Sequence, residues 1–161
     1  MKTAEAIREM IFFFGNDKKR IAHALKVYAY ALTIGELENQ DGKPPEALVY
    51  AAILHDIGIK IAEEKYGSCS FKQQETEGPP EAEKILSRLG IERAVIDRVV
   101  FLIAHHHSPA TSEDTDFRIL LEADYLVNLE EGNIPLSQRD GILDNHFRTA
   151  SGKNILASIF R

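Results

Sequence analysis

The sequence predicts an all-α protein, a bundle of helices folded as one domain. Three observations carry that expectation. Apolar residues recur at spacings of three and four along most of the chain, the pattern of helices with one buried face. Proline and glycine stand where those stretches begin and end. No stretch alternates polar and apolar residues between hairpin turns, as sheet strands do.

The elements follow in order. "TAEAIREMIFFFG" is a first helix, closing near Gly15. "NDKKRIAHALKVYAYALTIGELEN" is a second, with Asn16 or Asp17 as its N-cap. Its apolar residues fall in two helical rows, Ile21, Leu25, Tyr28, Leu32 and Ala24, Val27, Ala31, Ile34. "QDGKPPE" is a turn, after which Pro44 and Pro45 open a third helix that runs from Glu46 through His55 to about Glu64. "KYGSCSFKQQETEG" has no clear period and reads as a loop or lid. Pro79 and Pro80 open a fourth helix, "EAEKILSRLG", stopped by Gly90. "IERAVIDRVVFLIAHHH" is a fifth and "DFRILLEADYLVNLEEG" a sixth, with one or two short helices in the tail.

Composition bounds the function. The 161 residues are 44% apolar, which suits one compact domain with a real core. A net charge of −6 excludes a broad basic surface for long nucleic acid, while a local basic cluster can still hold a small phosphorylated molecule. Cys69 is the only cysteine, so there is no internal disulfide and no thiolate zinc site, as in a reducing, cytoplasmic setting. No apolar run approaches the roughly 20 residues of a membrane span. Glu5, Arg8 and Glu9 stand where a signal peptide would be apolar. "IREMIFFFG" offers its phenylalanines either to the core or to a second copy in a homodimer.

Against this background, several ionisable residues sit on apolar stretches. His55 and Asp56 interrupt "AAILHDIGI", His23 lies four residues before Val27, His106 three after Ile103, and Asp124 between Leu120, Leu121 and Leu126, Val127. Singly, each has an ordinary explanation: a hydrogen-bonded core histidine, an Asp56–Lys60 pair at i, i+4, an Asp124 pairing with Arg118 or Arg139. Jointly they are better explained as side chains of facing helices converging on one ion. Imidazole and carboxylate suit Mn, Fe, Zn, Co or Ni. If His55 and Asp56 were consecutive residues of one helix they would point about 100° apart, so the ion would have to lie between them.

The order His23, His55-Asp56, Asp124, carried by "RIAHALKVYAYA", "AAILHDIGI", "GPPEAEKIL", "LIAHHHSP" and "LLEADYLVNL", resembles the HD-domain superfamily of metal-dependent phosphohydrolases over nearly the whole chain. The resemblance implies a single HD domain over residues 1–161, a bundle of five core helices plus shorter ones, with His23, His55, Asp56 and Asp124 binding one divalent ion. Binuclear members carry another histidine after the His-Asp pair. Residues 62–78 contain none, and Gln74, Glu75 and Glu77 stand there instead. Glu75, Glu77, His106 and His107 are therefore candidates for a second ion or for a proton donor. The Gly-Tyr-Pro element of cyclic-dinucleotide phosphodiesterases is absent after His107.

The expected reaction is hydrolysis of a small phosphate ester, foremost a nucleotide, by metal-bound hydroxide attacking phosphorus. Monoester and diester substrates both fit. Asp56 would orient or deprotonate the water, and His106 or His107 would protonate the leaving group. Arg20, three residues before His23, and Lys60, four after Asp56, would bind phosphate, helped by free N–H groups at the start of the second helix. Lys18 and Lys19 read as solvated charges. The alternative is a module that binds metal and nucleotide as a sensor without catalysis. A third reading is a helical interaction protein without metal.

Overall fold

The computed structural model describes residues 1–160, and every regular element in them is helical. Nine α-helices follow one another: α1 (Thr3–Phe14), α2 (Lys18–Glu38), α3 (Glu46–Leu54), α4 (Gly58–Tyr66), α5 (Phe71–Arg88), α6 (Arg93–His105), α7 (Thr115–Glu130), α8 (Arg139–His146) and α9 (Ala150–Ile159). A single 3₁₀ turn, Leu136–Gln138, precedes α8. Arg161, the last residue of the expected domain, lies outside the described residues.

Helix α3 is the hub. Its segment EALVYAAIL is apolar nearly all round, and all of Ala47 to Leu54 is buried. A helix without a polar face is stable only when other helices surround it. Here α1, α2, α6 and α7 do so. Helix α2 lies along α7, and α5 packs between α4 and α6. Met10 and Phe14 of α1 and Leu156 of α9 join the same contiguous core. Of the three consecutive phenylalanines, Phe14 is thus a core residue, Phe13 half-buried and Phe12 exposed.

Two elements differ from expectation, and both shape the site. The third helix is not continuous: it stops at Leu54, and α4 starts at Gly58. Between them the Ile57 amide donates to the Leu54 carbonyl and the Ile59 amide to that of Asp56. These i→i−3 bonds turn the chain more tightly than an α-helix does. The break stands beside the α4–α5 crossing. A Cβ on Gly58 would stand 2.6 Å from both the Gln74 carbonyl oxygen and the Gly78 nitrogen, so only glycine lets these backbones meet.

The expected loop over residues 65–78 is mostly helix. Ser70 accepts a bond from the Gln73 amide while the Gln73 side chain accepts one from the Ser70 amide. This reciprocal cap starts α5 at Phe71. Pro79 and Pro80 then lie inside α5 rather than at its start. They delete the backbone donors that the Glu75 and Thr76 carbonyls would otherwise receive. Gly90 does end this helix, at φ +66°.

Candidate metal centre

Each site residue owes its position to a local feature of the chain. His23 faces inward from α2 beside buried Ala24 and Val27. His55 and Asp56 occupy the tight turn after α3, and Asp124 lies mid-way along α7. His106 and His107 follow the last residue of α6. His55 keeps helical dihedrals within this turn (φ −55°, ψ −39°), so the pair leave the backbone in different directions and meet only at their side-chain ends. The His55 Nε2 and Asp56 Oδ2 atoms are 3.4 Å apart.

His23 and His55 each therefore face both carboxylates, and His23, His55 and Asp56 offer donor atoms within 4.8 Å of one another. His23 Nε2 lies 3.1 Å from Asp124 Oδ1, 3.3 Å from His55 Nε2 and 3.5 Å from Asp56 Oδ2. His55 Nε2 lies 3.6 Å from Asp124 Oδ1. Neighbouring donors around one ion at 2.0–2.2 Å would be about 2.9–3.6 Å apart, so these spacings suit a shared divalent cation. The cluster borders a cavity of about 610 Å³.

The donor chemistry agrees. The Nδ1 atom of His55 is 3.0 Å from the Ala52 carbonyl, and that of His106 is 2.7 Å from the Ile103 carbonyl. Carbonyls only accept, so both rings donate from Nδ1 and leave Nε2 with a free lone pair in the neutral form. His106 Nε2 is buried without any hydrogen-bond partner, 3.7 Å from Asp56 Oδ1. Burial opposes charge on His55, but Asp56 and Asp124 outweigh it and hold its pKa well above the usual imidazole value. Burial would raise the Asp56 carboxyl, yet His55 and His106 hold it well below the carboxylate range. Asp124 is lowered in the same manner by His23 and His55. The metal-free cluster thus favours positive charge at its centre, which a divalent ion supplies better than a proton.

The ordinary partners considered from sequence are engaged elsewhere. Lys60 donates to the Phe13 carbonyl at 2.7 Å and lines a separate surface groove, so it belongs to neither Asp56 nor the phosphate-binding wall. Arg118 pairs with Glu113, and Arg139 with Asp140. Glu77 turns to Lys65 and Tyr66, away from the donor cluster. Glu75 accepts from the His107 amide and the Ser108 hydroxyl, which makes it a brace for that turn. The free N–H groups expected at the start of α2 are partly taken, because the Asp17 carboxylate accepts from the Arg20 amide.

Arg20 does reach the cavity, as does Lys19, which sequence reading left to solvent. Of the three adjacent histidines, His106 and His107 line the cavity while His105 packs on Phe101. Asp56, His106 and His107 form a second group of donors within 4.8 Å of one another. Burial and the neighbouring His106 push the His107 pKa down to about 3. Its Nε2 lies 2.9 Å from Gln74 Oε1. From sequence, Gln74 is named only as standing where a histidine is missing and has no role, because its segment lacks a visible period. Glu131, 2.9 Å from His23 Nδ1, was missed altogether, although it follows Asp124 by seven residues, two helical turns along one face.

A family model for the HD domain matches residues 20–140. The chain belongs to the HD-domain family. The HD match encloses every donor described above and leaves α1 and α9 outside, although both helices pack on the HD core. The crystal structure of a predicted HD superfamily hydrolase from an uncultured Thermotogales bacterium resembles this fold, with a TM-score of 0.65 at 22% identity over 98% of this chain and 82% of the other. That likeness is one of fold. No curated protein matches the chain. Among the described residues, no helix of this HD protein is long and apolar enough to cross a membrane.

Proposed function

We propose that this HD-domain protein is a metal-dependent phosphohydrolase acting on a small phosphate ester, with a nucleotide as the leading candidate. The observation that supports it most is that His23 and His55 each stand 3.1–3.6 Å from both Asp56 and Asp124, with His23, Asp56 and Asp124 on the wall of a cavity that also carries Arg20. We take residues 1–161 as one cytoplasmic domain. These four residues would hold one divalent ion (Mn, Fe, Zn, Co or Ni), and Asp56, His106 and His107 would provide for a second. When bound, such an ion supplies Lewis acidity toward a phosphoryl oxygen and makes water a stronger acid.

The protein's own groups do the rest. The two oxygens of Asp56 face different ways, Oδ2 to the two histidines and Oδ1 to His106. Oδ1 is placed to orient a water and take its proton. With no second ion bound, His106 Nε2, 3.7 Å from Asp56 Oδ1, would take that proton on and pass it to the leaving oxygen, its ring held by the Ile103 carbonyl. Arg20 binds phosphate through its planar fork.

The test is a metal-loaded sample screened against nucleoside mono-, di- and triphosphates. Turnover that falls about 10²- to 10⁴-fold in Asp56→Asn supports the enzyme. Tight nucleotide binding without turnover points instead to a sensor, and absence of any stoichiometric ion to a metal-free interaction protein.

Arg20 is not idle without substrate. Its guanidinium makes two bonds to Glu63, at 3.0 and 2.6 Å, and a further ion pair with Asp17. A phosphate must displace Glu63. Exposed pairs of this kind contribute about 1 kcal/mol or less, so Glu63→Gln is expected to lower KM by up to about fivefold with kcat unchanged. An unchanged KM would remove Arg20 from the phosphate site.

A further inference from the structure

The imidazoles of His23, His55 and His106 fix their protons by different means. His55 and His106 each follow the last residue of a helix, α3 and α6. Carbonyls in a helix's final turn receive no backbone N–H, so Ala52 and Ile103 are free to accept the Nδ1 protons. His23 has no such carbonyl. It stands more than a turn inside α2, where the backbone acceptors are already bonded. Its Nδ1 instead faces a carboxylate, Glu131 Oε2, at 2.9 Å.

Glu131 is itself held in place. Lys26, one turn beyond His23 on α2, lies 3.3 Å from its Oε1, and Asn133 Nδ2 lies 3.4 Å from its Oε2. Its side chain is only 11% exposed. The same helix thus addresses both nitrogens of one ring, with Asp124 at Nε2 and Glu131, just past the end of α7, at Nδ1.

We propose that Glu131 is a positioning residue for His23: it accepts the Nδ1 proton, fixes the tautomer that turns a bare Nε2 to the ion, and strengthens that nitrogen as a donor. The inference rests on the reading of His23 as a metal ligand. A carboxylate behind a ligating imidazole makes the ring more basic, and loss of such a partner typically weakens metal binding 10- to 100-fold. Glu131 borders the cavity but would act on the ion only through His23.

The experiment uses the full chain and Co²⁺ as the probe, with Kd from calorimetry and from the visible Co²⁺ spectrum. Glu131→Ala is expected to raise Kd by about 10- to 100-fold, and Glu131→Gln, which keeps an acceptor of the same shape, to recover most of the loss. In the Zn²⁺-loaded protein, imidazole ¹⁵N spectra should show a slowly exchanging Nδ1 proton on His23 that Glu131→Ala releases to solvent. A folded Glu131→Ala that binds Co²⁺ as tightly as the parent overturns the role of Glu131 alone. A parent protein that takes up no Co²⁺ overturns the metal-centre reading beneath it.

Discussion

Asp124→Asn is expected to strip the ion from the protein and to reduce phosphohydrolase turnover by at least about 10⁴-fold, because a divalent cation contributes several kcal/mol of transition-state charge stabilisation. The substitution keeps the shape of the side chain and removes one of the two carboxylates in the cluster. Asp124 Oδ1 stands 3.1 Å from His23 Nε2 and 3.6 Å from His55 Nε2, and Asn128 Nδ2 donates to it at 2.8 Å. An amide can present an oxygen there but carries no charge, and two imidazoles with one carboxylate bind a divalent ion much less tightly. Metal analysis of protein purified without a His-tag, alongside circular dichroism to show that the helices remain, measures the effect. A variant that keeps one equivalent of metal would place the ion elsewhere.

Glu122→Leu is expected to lower unfolding stability by about 3–5 kcal/mol, from the penalty for each buried donor left unpaired. Glu122 is fully buried in α7. Its Oε1 accepts from the Arg148 and Thr149 amides at 2.6 and 2.9 Å, and its Oε2 from the Thr149 hydroxyl at 2.5 Å. Thr149 in turn caps α9 through the Gly152 amide. There is no Cβ on Gly152, and one built there would collide with the Glu122 carboxylate. Burial pushes the Glu122 pKa up, with the Thr149 and Arg148 bonds opposing the shift. Leucine fills similar space but orphans two backbone amides and frees α9 from α7. Urea denaturation of both proteins gives the difference directly. A loss below about 1 kcal/mol would show that α9 is held by its apolar contacts alone.

Much of this was legible in the residues. The apolar rows of α2, α6 and α7 appear as helical periods, and the all-α bundle follows from them. The four-residue constellation was legible through its order along the chain. What stayed hidden depended on contacts between segments remote in sequence. Nothing local says that Gly58 must meet Gly78, so the break between α3 and α4 beside that crossing was invisible. A proline pair is a helix-start signal, and it outweighed the Ser70–Gln73 cap, whose Ser70 stands nine residues before Pro79. Lys60 has the right spacing from Asp56, but spacing cannot show that its ammonium finds the Phe13 carbonyl first.

The turns at His55 and His106 have one more effect. Both residues cap the C-terminal ends of their helices, so α3 and α6 each direct the negative pole of a macrodipole toward the cluster. Together these poles add about one unit of negative charge to that of Asp56 and Asp124. A bare phosphate dianion meets repulsion at such a floor, and a divalent cation meets attraction. On the proposed function, the direction in which two helices run sets the order of binding: the cation is expected to enter first, and affinity for the phosphate ester to depend on its presence.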